Sequence, residues 1–185
     1  MGVVADRART LYLPPLRVDV TVRDGVRLPA PVARLGRAIR TAALAADAPT
    51  PASVGIVLTD DRELTALNRE HMHKSGPTDV LSFPLLPPEA FGRGNAGGGR
   101  AGPALFPAPA GVRATLGDIA ISVERAIAQA RYGAGGQDCR TRWAARDELL
   151  LLAVHGTLHL CGLDHAEPDE DRLMRALERQ VLAAT

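Results

Sequence analysis

The stretch Glu148 to His165, ELLLLAVHGTLHLCGLDH, constrains this chain more than any other. A leucine-rich helix is predicted over about 142–160, and a helix that apolar belongs inside a fold. His155 and His159 are four residues apart on it, so their side chains project from one face. Gly162 takes the left-handed conformation that ends a helix, and the chain then folds back to carry His165 to the same place. Imidazoles at that offset chelate one ion. Three neutral imidazole ligands, with a fourth position left for water, describe a catalytic zinc site rather than a closed structural one. Ordinary core or surface histidines would explain one of these residues better than three of the chain's five within eleven positions.

The spacing H-x3-H-x5-H is that of the zinc-protease pattern HExxHxxGxxH, with Gly156 where the protease has its general-base glutamate. Glycine accepts no proton, so the ligand geometry is kept while the peptidase base is absent. Glu148 falls on the histidine face but seven residues before His155, on the order of 10 Å along the helix, which makes it neither base nor ligand. Asp164 has two readings, a carboxylate that orients a histidine or receives a proton, and a plain turn residue after Gly162. Cys161 points to another side of the helix and reads as a small buried hydrophobe. Cys139 lies in a polar stretch and carries no assigned role.

The rest of the chain sets the frame. Its 185 residues suit one domain, 1–185, and 46% hydrophobic residues suffice for a core. Basic and acidic residues nearly balance, 22 against 21, which excludes a bulk polycationic nucleic-acid binder. Aromatics at 3% exclude base stacking as the main mode of RNA contact. Lys74 is the only lysine. No apolar run reaches membrane-span length, and two cysteines fit a reducing compartment, so a cytoplasmic protein without a membrane partner is expected.

Residues 1–15 read as a loose tail. Strands are predicted at 17–23, 53–58, 80–83 and 117–122 from alternation or short apolar runs. Helices are predicted at 31–46, from Asp60 with Glu63 as a capping pair, at 123–132 and at 167–182. The last presents Leu173, Leu177 and Val181 on one side. Residues 87–115, rich in Gly, Pro and Ala, read as a mobile insertion. The order βαβαββααα implies an α/β (or α+β) fold with a small mixed sheet of about four strands packed with helices.

Three blocks together carry a family resemblance. They are Leu67-Asn68, Lys74 and PTDVLSFP (77–84); LGDI (116–119) with Ile121-Ser122; and the His155 to His165 segment. In that order they resemble the YbeY family of bacterial endoribonucleases and rRNA maturation factors, over about residues 17–183. The resemblance implies a small metallohydrolase fold with a protease-like zinc helix. It implies one Zn2+ per chain on His155, His159 and His165, and hydrolysis of single-stranded RNA. It also implies a role in maturing the 3′ end of small-subunit ribosomal RNA and in ribosome quality control. The expected partners are ribosomal RNA and the small ribosomal subunit, with no DNA.

The chain departs from the family pattern at Met72, where many members carry an arginine that contacts phosphate. Methionine makes no such contact. Arg69 and Lys74 are the RNA-contact candidates, and His71 and His73 read as solvated loop residues. Two alternatives stay open: a ribosome assembly factor whose zinc is structural, and, disfavoured by Gly156, a zinc peptidase. Whether a zinc-activated water or the RNA 2′-hydroxyl attacks is also open.

Overall fold

A computed structural model describes residues 5–91, 112–132 and 143–185. Five strands form one mixed sheet: β1 (Arg7–Leu13), β2 (Leu16–Val22), β3 (Ala52–Thr59), β4 (Val80–Pro84) and β5 (Ala114–Ser122). Their spatial order is β1-β2-β3-β5-β4. The β2–β3 and β3–β5 pairs are parallel, and the two outer pairs are antiparallel. Five helices complete the fold: α1 (Val32–Ala45), α2 (Asp61–His71), α3 (Val123–Tyr132), α4 (Ala145–Leu160) and α5 (Pro168–Ala183). The α/β class with a mixed sheet is therefore as expected.

Alternation along the strands divides the sheet into two faces. Val18, Val20, Val54, Ile56, Ile119 and Ile121 join the main core with α1, α4 and α5. Ala120 and Leu81 point the other way and meet Leu64 of α2 in a smaller cluster. Asp60 caps α2 by accepting from the Glu63 amide at 2.8 Å, but the Glu63 carboxylate accepts from Arg23 and Thr59, so the expected capping pair forms only in half. Asp61 then ties α2 to α3 through Arg125 at 3.0 Å.

The described fold corrects three expectations. The supposed tail over 1–15 contains strand β1, whose outer residues are exposed while Leu11 and Leu13 pack on the core. A strand with one wet face and little alternation has no signal of its own; pairing with β2 makes it. The sheet accordingly has five strands rather than about four. The ends of the insertion expected over 87–115 are ordered parts of the fold: Pro88–Ala90 form a 3-10 turn, Phe91 is buried and β5 begins at Ala114. The middle of that insertion lies outside the described residues, as does Cys139. On α5, Leu173 is 44% exposed, and Met174 takes the core position beside Leu177 and Val181.

Candidate metal centre

Helix α4 carries the site because it has nowhere to move. It is apolar around its whole circumference, with Leu149 to Val154 buried in sequence, and it is packed by α1, α3, α5 and the β4–β5 edge of the sheet. Gly156 explains how closely it sits. A Cβ there would stand 2.8 Å from Ile119 Cγ2 and 3.2 Å from both Ser82 Oγ and Val80 Cγ2. Ser82 Oγ also donates to the Gly156 carbonyl at 3.1 Å. Position 156 therefore faces the sheet, with no room for a glutamate.

The helix ends in a Schellman turn. The Leu163 amide donates to Leu158 O at 3.1 Å and the Gly162 amide to His159 O at 3.0 Å, with Gly162 at φ +76°. Pro88 and Phe91 back the glycine so closely that a Cβ would lie 3.2 Å from Pro88 Cα. The reversal does two things for the site. It returns the chain so that His165 stands over the helix, and it aims the Leu163 carbonyl at His159 Nδ1, 2.9 Å away.

The three histidines come together as their spacing implied. Ring centroids are 4.6 Å apart for His155–His159, 5.2 Å for His159–His165 and 5.6 Å for His155–His165. One nitrogen from each lies within 4.8 Å of the others, and no fourth His, Cys, Asp or Glu among the described residues joins the group. His155 and His159 present Nε2 atoms to each other at 3.1 Å. Their Nδ1 atoms face acceptors, Glu178 Oε1 at 2.8 Å and Leu163 O respectively. Each Nδ1 therefore holds the ring proton, and both Nε2 lone pairs point into the cluster. Burial, with the neighbouring His155 adding to it, holds the His159 imidazole below its ordinary pKa, which keeps it neutral. Three convergent imidazoles, two of them with anchored rear nitrogens, fit a divalent zinc-type ion.

The other singled-out residues fall around this cluster. Asp164 accepts from the His165 amide at 2.7 Å and is exposed, which matches its turn reading. Cys161 is buried in the core. Glu148 is only 2% exposed, accepts from Trp143 Nε1 at 2.5 Å, and has its pKa raised by burial. Lys74 lines a groove of about 940 Å3 that reaches the histidines, together with Asn68, Met72, Ser75, Thr78 and Ser82. Arg69 is exposed on α2 and does not line that groove. His71 is exposed as well, with its ring edge-on to Phe83 at 5.3 Å.

Sequence reasoning missed two contributors. Glu178 looks like any charge on an amphipathic helix, and only tertiary packing reveals it. Asn68 shapes the Lys74 loop: its carbonyl accepts from the Met72 and Lys74 amides, and its side chain donates to Gly76 O at 3.0 Å. Its place within the Leu67-Asn68 block was the available signal.

A family model described as Endoribonuclease YbeY matches residues 31–185. The chain belongs to the YbeY family. The Endoribonuclease YbeY of Thermobifida fusca is 36% identical over 170 residues, covering 91% of this chain and 93% of that one. The Endoribonuclease YbeY of Renibacterium salmoninarum is 38% identical over 172 residues, covering 91% and 92%. The solution structure of TM1509 from Thermotoga maritima shares the fold, with a TM-score of 0.50 at 19% identity over 90% of this chain and 86% of that one. The matched span contains all three histidines.

Proposed function

We propose that this chain is a zinc-dependent endoribonuclease that cuts single-stranded RNA and acts on small-subunit ribosomal RNA in the cytoplasm. Its YbeY relatives are endoribonucleases, so the reaction class is hydrolysis of RNA phosphodiester bonds. The observation that carries the metal part is the convergence of His155, His159 and His165, with two rear nitrogens held by acceptors. His155, His159 and His165 would hold the ion, which would supply Lewis acidity and activate water near neutral pH.

The chain's own residues divide the remaining work. Lys74, Ser75 and Thr78 offer a cation and hydroxyls along the groove that a phosphodiester would follow to the histidines. Asn68 holds the loop that presents Lys74. No described helix is long and apolar enough to cross a membrane. The packed surroundings of Gly156 disfavour a peptidase, because the position of the protease base points into the sheet.

The test is metal analysis of purified protein beside cleavage of a short single-stranded RNA. His155→Ala and His159→Ala are expected to lose bound zinc and lower cleavage at least 100-fold. Cleavage retained by a metal-free double variant would remove the ion from the reaction. Zinc-dependent digestion of casein without RNA cleavage would replace the nuclease reading altogether.

A further inference from the structure

The two helix-borne histidines are braced differently. His159 leans on Leu163 O, a main-chain acceptor built into the turn that ends α4. His155 leans on Glu178, a side chain from another helix 23 residues further on. Glu178 sits on the buried face of α5 beside Met174, Leu177 and Val181, and is 7% exposed. A carboxylate on so apolar a face loses hydration, and an apolar residue of similar size would pack there at lower cost. Arg175, one turn back on the helix, is bonded to Asp171 at 2.8 Å and reaches Glu178 only through space. Fold stability by itself gives no reason for Glu178.

We propose that Glu178 is a positioning residue for the metal centre, fixing His155 as its Nδ1–H tautomer and balancing part of the charge of the ion held by Nε2. An ionised carboxylate only accepts, so a 2.8 Å contact to Nδ1 places the proton there and leaves Nε2 free as a ligand. The negative charge behind the ring makes Nε2 more basic, the usual effect of a carboxylate behind a metal-bound imidazole. The same helix follows directly on His165, so the segment 162–178 delivers both the third histidine and the brace for the first. In the ion-free protein Glu178 faces the His155 ring alone. With the ion present, the ring becomes the path between opposite charges. Glu178 is thereby a burden to the apo fold and an asset to the loaded one. This inference rests on the metal reading above and deepens it.

The experiment uses the full chain stripped of metal, with Zn2+ titrated against a chromophoric chelator. Glu178→Ala is expected to weaken zinc binding about 10- to 100-fold. Glu178→Gln keeps an acceptor for Nδ1–H and is expected to fall between Glu178→Ala and the wild type. The apo Glu178→Gln protein is expected to melt no lower than the apo wild type. Long-range 1H–15N spectra of the apo protein are expected to show His155 as the Nδ1–H tautomer in the wild type and as a mixture in Glu178→Ala. If Glu178→Ala does not fold, Glu178→Gln decides by the same readings. Zinc affinity within twofold of wild type in the variants, or an apo Glu178→Gln that melts well below wild type, would overturn the proposal. The nuclease reading fails separately, by a zinc-loaded wild type that leaves single-stranded RNA intact.

Discussion

Two cavities meet at His155 and His165, with Asp79 and Val80 in the wall they share. The smaller, about 300 Å3, lies between α3, α4 and α5 and is lined by Asp79, Glu148, Asp171 and Glu178 with Gln129. Among the described residues its one lysine or arginine is Arg175, which is paired to Asp171. The larger groove, about 940 Å3, is lined by Lys74, Asn68, Ser75, Thr78 and Ser82 on the β4 and α2 side, with Asp79 and Asp164 nearer the histidines. A phosphodiester is repelled by the four carboxylates of the first lining, whereas the second sets Lys74 and several hydroxyls against two aspartates. His155 and His165 face both cavities and His159 only the larger, so the ligands as well as the lining give the site a direction. Glu148, Asp171 and Glu178 stand behind the ligands, and Lys74 with the hydroxyls stands in front beside Asp79 and Asp164.

The sharpest way to break this arrangement is Gly156→Glu, which restores the protease-like residue. Its Cβ would press on Ile119 and on Val80, which lines both cavities. Overpacking of this kind costs about 1–3 kcal/mol, and burying a carboxylate against the sheet adds to it. A lower melting temperature and loss of RNA cleavage without any gain in peptide cleavage are expected. A stable Gly156→Glu protein that digests casein would show that the close packing of α4 on β4 is not what separates this site from a peptidase.

Charge in the groove ranks next. Lys74→Glu makes the front resemble the back, and kcat/KM for single-stranded RNA is expected to fall about 100-fold, with Lys74→Ala at about 10-fold. Zinc affinity is expected to stay unchanged in both. Arg69→Ala serves as the internal comparison, since that exposed side chain does not line the groove; its expected effect is under twofold. Equal losses from Lys74→Ala and Arg69→Ala would mean that RNA approaches along a face other than this groove.

What was legible in the sequence follows the same division. The front was readable where local rules govern it. The offset between His155 and His159 is a helix property, and the return of His165 is a property of Gly162 in a Schellman turn. The family blocks located Lys74 and contained Asn68, whose part in holding the Lys74 loop appears only in the fold. The back was not readable. Glu178 and Glu170 are both glutamates on α5, and only packing makes the first buried and the second exposed. Strand β1 was lost in the same way, because its order depends on a partner and not on its own pattern. Leu173 and Met174 changed places through a small rotation of a helix whose apolar stripe admits both.

The smallest expected effect concerns Glu148, at the back. Burial raises its carboxyl pKa and the Trp143 hydrogen bond opposes that only in part, with the charge of Asp79 adding to the rise. A carboxyl whose folded pKa is raised binds protons more readily in the folded chain than in the unfolded one. Its stabilising contribution is complete below the unfolded pKa, near 4.3, and is lost as pH rises through the folded value. At neutral pH the ionised group is therefore a cost. Glu148→Gln keeps an oxygen for Trp143 Nε1 and removes that charge. In the apo protein the variant is expected to gain stability over wild type between pH 4 and pH 7, by on the order of 1 kcal/mol at the upper end. Denaturant melts across that range measure it, and RNA cleavage is expected to change less than in Lys74→Ala. A variant that loses stability as pH rises would mean that Glu148 is held ionised by its surroundings, and that the rear cavity is less hostile to negative charge than its lining suggests.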